Sequence, residues 1–167
     1  IALNALNCFY RKFLKIDYEP LSFRSARRFP RVPVVFSDQE ARDIINQLQD
    51  PWRLMAEIMY GSGLRVSEAL RLRIKDLDFD QNVLVVRDGK GGRDRVTMLP
   101  RSLVDRLRIQ IRLAEDYYQQ DQVNGVGPAW MPQALARKYP GAASKLGWQF
   151  IFPSREPAVD PQTGIIR

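Results

Sequence analysis

Arg65 and Glu68 stand three residues apart just after the breaker Gly61-Ser62-Gly63, and Lys90 follows within Gly89-Lys90-Gly91-Gly92-Arg93. A guanidinium, a carboxylate and an ammonium so placed could grip a phosphodiester. Arginine offers phosphate oxygens a planar fork of donors, and backbone N–H groups at a helix start point the same way. Glu68, on the same helical face, can accept from Arg65 and fix its direction. The glycines around Lys90 allow close approach of another chain and leave the lysine unobstructed. The spacing alone also describes an ordinary surface ion pair and a solvated lysine at a hairpin tip, and both readings stay open at this point.

The elements that must hold these groups are readable from periodicity. Leu54, Met55, Ile58 and Met59 recur at helical spacing and stop at Gly61-Ser62-Gly63, so a second helix is expected to begin there with Arg65 in its first turn. Val83 to Arg87 pairs by pattern with Arg93 to Leu99 across the glycine turn, a small antiparallel sheet, while 76–82 is turn-rich. Ser37 with Glu40 is a capping box opening a helix to about Leu48, and Asp50-Pro51 opens the next. Pro100 and Ser102 mark a further helix entry, with Leu103, Leu107, Ile111 and Ala114 as its core stripe, and 121–128 is a glycine-containing loop. The first fourteen residues are apolar at 3, 6, 9/10 and 13/14, one helix with a basic end. Between it and Val34, three prolines accompany Arg24, Arg27, Arg28 and Arg31, which predicts a basic connector, either solvated or lying along phosphates. The expected fold class is mainly α with a small antiparallel β-sheet (α+β).

Composition narrows the function classes. With 167 residues and 45% hydrophobic content the chain can bury one moderate core, and its charges and short apolar runs argue against a membrane protein. Twenty-six Lys and Arg against 19 acids give +7, which favours a polyanionic partner. One cysteine and no histidine exclude an intrachain disulfide and the usual zinc sites. Cys8, beside Phe9 and Tyr10, is expected to be a buried thiol, in keeping with a reducing cytoplasm. Ile1 in place of Met makes an excised piece of a longer protein the expectation.

Gly61-Ser62-Gly63-Leu64-Arg65-Val66-Ser67-Glu68-Ala69-Leu70-Arg71-Leu72 resembles the first catalytic-arginine box of tyrosine site-specific recombinases. Asp88-Gly89-Lys90-Gly91-Gly92-Arg93-Asp94-Arg95 is similar to the hairpin that carries their catalytic lysine. The resemblance implies a truncated recombinase catalytic-domain fold. In it Arg65 stabilises the non-bridging oxygens of the scissile phosphate, Lys90 protonates the leaving 5′ oxygen and Glu68 holds the site together. Fixed cations and a proton donor are what charge building on a phosphoryl group requires. Neither metal nor nucleotide cofactor is implied, because the bond energy is kept in a covalent phosphotyrosine. The implied domains are 1–16, the last helix of an N-terminal core-binding (SAM-like) domain; 17–33, a basic interdomain linker; and 34–167, the N-terminal part of the catalytic domain. Arg24, Arg27, Arg28, Arg31, Arg93 and Arg95 are the implied DNA contacts of linker and hairpin.

The family's later His-x-x-Arg box has no counterpart here, since the chain has no histidine. Tyr10, Tyr18, Tyr60, Tyr117, Tyr118 and Tyr139 all precede the nucleophile's place, so none is assigned that role and the chain alone is expected to be inactive and monomeric. The intact family assembles as four protomers on DNA.

The stretch from Gly127 to Ala142, with Gly147-Trp148-Gln149-Phe150-Ile151-Phe152 after it, resembles the insertion of integron integrases, at about 125–147. There Ala-Leu-x-x-Lys-Tyr-Pro forms an extra helix used on folded single-stranded attachment sites. The resemblance implies cassette integration and excision, with a single-stranded hairpin and a double-stranded integron site as partners. Pro132 can open this helix and Pro140-Gly141 can end it. Trp130 and Tyr139 beside Arg137 and Lys138 supply flat apolar surface and cations for flipped-out bases. The alternative, rings anchoring the insertion to the core, is preferred for Trp148, whose neighbours alternate like a strand entering a sheet.

Overall fold

The computed structural model describes residues 2–16, 34–89, 91–161 and 163–167. The chain divides into two compact units, 1–35 and 36–167.

In the first unit, helix α1 (Ala2–Cys8) continues as a π-helical turn, Phe9–Phe13. The rings of Phe9 and Phe13, four residues apart, stack at 5.5 Å. Leu6, Phe9, Phe13 and Leu14 are nevertheless exposed, and so is Cys8, against the buried thiol expected. An apolar helix face buries its residues only against another element, and none of the described residues of this unit covers it.

The second unit opens with α2 (Asp38–Asn46), capped as its sequence requires. Ser37 N–H donates to Glu40 Oε2 at 2.8 Å, and Glu40 N–H donates to Ser37 Oγ at 3.3 Å, so two donors that the helix start would leave unpaired are satisfied reciprocally. It stops at Asn46, two residues short of the expected Leu48. Helix α3 (Trp52–Ser62) follows, buries Leu54, Met55 and Ile58, and ends where Gly63 turns left-handed at φ +64°. Tyr60 donates to Asp38 Oδ1 at 2.7 Å, tying α3 to α2.

Helix α4 (Val66–Leu70) is a five-residue turn, followed by a 3-10 turn at Ile74–Asp76. Strands β1 (Leu77–Asp78), β2 (Val83–Val86) and β3 (Arg95–Met98) form an antiparallel sheet in the order β1-β2-β3. Its register sets Leu77 opposite Leu84 and Val85 opposite Val96. The β2–β3 pairing agrees with the sequence expectation. β1 was hidden in the turn-rich stretch, where Asp78 Oδ1 accepts from Asp80 N–H (3.0 Å) and Gln81 N–H (2.8 Å) and so turns the chain into β2.

A 3-10 turn, Arg101–Leu103, leads into α5 (Val104–Val123). Of the expected stripe, Leu103 in that turn and Leu107 and Ala114 in α5 are buried while Ile111 is only part-buried, and α5 continues through Val123, three residues into the stretch expected as a loop. Ile58, Leu84, Leu99, Leu107 and Ile151 are the largest fully enclosed side chains with Val86. Each contributes on the order of 1.5–3 kcal/mol by leaving water.

Helix α6 (Gln133–Lys138) starts after Pro132 and ends at Tyr139. Gly147–Phe152 is not the strand its alternation predicts. Leu146–Trp148 is a 3-10 turn, and Phe150 makes one isolated bridge, to Arg73. The facing backbone explains this. Ile74 N–H donates to the Gln149 carbonyl and Ile151 N–H to the Leu72 carbonyl, but beyond Arg73 the chain enters its own 3-10 turn and has no ladder to offer. Near the end of the chain, Ala158 and Arg167 exchange backbone hydrogen bonds of 2.7 and 2.9 Å. The fold is mainly helical with one small antiparallel sheet, and no helix among the described residues is long and apolar enough to cross a membrane.

Candidate functional site

Arg65 is the residue before α4, extended at φ −78° and ψ 155°, not a member of its first turn. The left-handed turn at Gly63 ends α3, and the buried Leu64 lies between it and Arg65, so α4 begins only at Val66. With only five residues, α4 has a small dipole, so attraction of an anion here must come from side-chain charge.

Beneath Arg65 lies Glu68, only 6% exposed. Its carboxylate accepts from Arg65 N–H (2.9 Å), Arg65 Nη1 (2.8 Å), Arg95 Nη1 (2.8 Å) and Arg95 Nη2 (2.8 Å). The Arg95 hydrogen bonds hold its pKa down to about 2, against the opposing effect of burial and with help from Arg65. Glu68 is thus a permanent anion that aims two guanidinium groups. Arg95 Nη2 also reaches the Gly63 carbonyl at 3.1 Å. The Arg65 side chain remains 54% exposed and free to meet a ligand.

The hairpin closes on this cluster. Gly89 N–H donates to the Arg93 carbonyl at 3.1 Å, and a Cβ added to Gly89 would stand 3.1 Å from Arg95 Nη1 and 3.4 Å from Glu68 Oε1. Glycine is required there by contact. Gly91 and Gly92, at φ +81° and +70°, are required by conformation. Arg71 bonds Asp88 at 3.5 Å, and Asp94 accepts from Asp88 N–H at 3.0 Å. Gly63, Arg65, Arg93, Asp94 and Arg95 line an open recess.

Of the residues singled out from sequence, Arg65, Glu68, Arg93 and Arg95 are therefore brought together. Arg95 is turned inward onto Glu68, a role its sequence position did not disclose. The signal lay in strand alternation: Arg95 and Thr97 face the end of α3, where Thr97 Oγ1 donates to the Ser62 carbonyl at 3.1 Å, while Val96 and Met98 are exposed. Lys90, Arg24, Arg27, Arg28 and Arg31 lie outside the described residues.

A separate group gathers on the 125–149 segment. Trp130 (42%) and Tyr139 (43%) are part-exposed, Arg137 and Lys138 are exposed in the last turn of α6, and Tyr139 meets Trp148 at 5.6 Å in a tilted contact. Trp148 packs inward, with Lys75 Nζ 3.5 Å above its ring, so it serves as an anchor. Sequence reading missed Arg73, which is buried beneath this segment.

The sequence profile of the phage integrase family matches residues 35–158, a span that contains both groups. The chain belongs to the phage integrase family. This phage integrase domain is 41% identical over 167 residues to an integrase/recombinase of Escherichia coli, covering 99% of this chain and 50% of that protein. It is 31% identical over 121 residues to the tyrosine recombinase XerA of Pyrococcus furiosus, covering 70% of this chain and 41% of that protein. A crystal structure of XerA recombinase aligns at 28% identity with a TM-score of 0.44, over 67% of this chain and 40% of that one. The phage integrase chain spans about half the length of the curated relatives it matches, or less.

Proposed function

We propose that this chain supplies half of the catalytic groups of a site-specific DNA recombinase that cuts and rejoins strands through a 3′-phosphotyrosine, and that the intact protein integrates and excises gene cassettes as an integron integrase. The observation that carries the proposal is the convergence of Arg65 and Arg95 on one buried carboxylate at the mouth of a recess that Arg93 also lines. Arg65 holds the non-bridging oxygens of the scissile phosphate, fixed in advance by Glu68 so that little reorganisation accompanies charge build-up. Lys90, next in the chain to a Gly89 that packs near Glu68, gives its proton to the departing 5′ oxygen. Arg93 contacts the flanking backbone, and the linker arginines Arg24, Arg27, Arg28 and Arg31 follow the duplex. Residues 1–16, 17–33 and 34–167 act as core-binding helix, linker and catalytic portion. The intact protein works as a tetramer on DNA.

The cassette assignment rests on the 125–149 segment. Trp130 and Tyr139 offer ring faces to unpaired bases, with Arg137 and Lys138 beside them for phosphates. Preference for a hairpin with unpaired bases over a fully paired one, lost in Trp130→Ala, supports it; equal binding of both hairpins by the parent chain overturns it.

A second reading, a DNA-binding module that does not cleave, is supported by the same cations, since Arg65 and Arg93 at the open recess suit phosphate binding without strand cleavage. Both readings predict binding that falls with salt, with a log–log slope of about −0.9 per neutralised phosphate. Arg65→Ala should flatten that slope by about one such contact, and a salt-independent affinity overturns every DNA reading. The purified chain is expected to form no covalent adduct with a nicked site, and trapping one would overturn its incompleteness.

A further inference from the structure

Arg73 is 6% exposed; the buried Asp76 carboxylate accepts from its backbone N–H at 3.3 Å and favours its charge, but among the described residues the guanidinium itself hydrogen-bonds to no carboxylate. Its donors go to two backbone carbonyls eighteen positions apart: Nη1 to Trp148 and Nη2 to Trp130, the latter at 2.9 Å. The guanidinium lies 4.5 Å from the centre of the Phe150 ring and 5.7 Å from that of Trp148. Lys75, two residues on, places its Nζ over the Trp148 ring, 3.5 Å from the centroid. A buried arginine carries a large desolvation penalty, and a packing position would be filled better by an apolar side chain. What the guanidinium does here, and an apolar group cannot, is fasten the two ends of one loop to each other.

Between those ends the segment is thinly held. Helix α6 buries none of its residues. Met131 and Ala142 are buried, Tyr118 donates to the Ser144 carbonyl at 2.7 Å, and Ala129 N–H donates to the Ala143 carbonyl at 3.3 Å. These contacts seat the loop near its two ends, and the Tyr139 ring that ends α6 rests on Trp148 at 5.6 Å, so the placement of α6 depends on where Trp130 and Trp148 are held together.

We infer that Arg73, seconded by Lys75, is the positioning residue that closes the 131–147 loop at its base and thereby sets where Trp130, Arg137, Lys138 and Tyr139 meet a nucleic acid with unpaired bases. The recognition half of this statement rests on the function proposed above; the closure half does not. Lysine at position 73 would keep the charge but could not hold two carbonyls with a rigid fork.

Amide hydrogen exchange and hairpin binding on the same chain test it. In Arg73→Lys, exchange should quicken by about tenfold or more over 131–147 while β2 and α5 keep their protection. The ratio of affinities for an unpaired-base hairpin and a fully paired one should fall by about fivefold or more, with affinity for the paired hairpin held within about twofold. Lys75→Met, at a part-exposed site, should move both readouts in the same direction by less, and serves if Arg73→Lys does not fold. Unchanged exchange over 131–147 overturns the inference, as does exchange quickened equally across the whole domain. Selective exchange with no preference between hairpins in the parent chain leaves the closure standing and overturns the recognition half. Selective exchange with the parent's preference retained in the variant overturns the link between the two.

Discussion

The Arg95 guanidinium spans both oxygens of the Glu68 carboxylate, Nη1 to Oε1 and Nη2 to Oε2, each at 2.8 Å. Arg95 comes from β3 and Glu68 from α4, so this ion pair joins the hairpin to the turn that carries Arg65. It sets the distance between the two sequence boxes, which no local signal could do. Arg65, more exposed, completes the carboxylate's hydrogen bonds from the other side.

Removing one side of that pair leaves a buried charge short of partners. Arg95→Gln should lower stability by about 3 kcal/mol, read as an earlier urea midpoint with an unchanged slope. Arg95→Lys should recover only part of the loss, because a point charge cannot match two oxygens at once. A midpoint within error of the parent would show that Arg65 alone satisfies Glu68.

Protonation offers the same test without mutation. The folded-state pKa of Glu68 is depressed from 4.5 to about 2, chiefly by Arg95. Its stabilisation is therefore fully present above about pH 4.5 and disappears as pH falls through about 2. Comparing the parent with Glu68→Gln across this range, the stability gap should be widest above pH 5 and close toward pH 2. A gap independent of pH would mean that the carboxylate's charge is not what matters.

The hairpin glycines should fail for different reasons. In Gly89→Ala the new methyl would stand 2.9 Å from the Arg93 carbonyl oxygen and 3.1 Å from Arg95 Nη1, so the Glu68 clamp must shift. In Gly91→Ala nothing lies within 4 Å, and only the φ of +81° is strained. Gly91→Ala should cost about 1 kcal/mol, and Gly89→Ala more, by about 1–3 kcal/mol of overpacking. Only the Gly89 variant should change the Arg95 side-chain resonances.

In the core, Gln110 is 8% exposed and donates from Nε2 to the Ile151 carbonyl at 2.9 Å. Gln110→Met fills the same space without the donor. It should destabilise by about 1–3 kcal/mol, since the carbonyl is left buried and unpaired, seen as a lower thermal midpoint. No loss would mean that water replaces the amide.

Much of this protein follows from local order in the chain. Ser37 with Glu40 starts α2, Gly63 ends α3, Leu107 and Ala114 mark the buried face of α5, and the valines of β2 with the glycines after them make a hairpin. These signals are periodicities and caps, whose energetics involve residues a few positions apart, so the mainly helical fold and the neighbourhood of Arg65 and Glu68 could be read directly. The exposure of Cys8, the lone bridge where Gly147–Phe152 alternates like a strand, and the inward turn of Arg95 could not, because each depends on what faces the residue from elsewhere. Arg73 is the clearest case. Nothing in Leu72-Arg73-Ile74 distinguishes it from a solvated arginine, and only the arrival of the Trp130 and Trp148 carbonyls, more than fifty positions later, turns it into a buried clamp. Sequence determined which cations and aromatic rings this protein has and which of them lie close together in the chain; the tertiary structure decided which cations are aimed outward and which are consumed in holding the others, since burial and long-range hydrogen bonds exist only once the chain has folded.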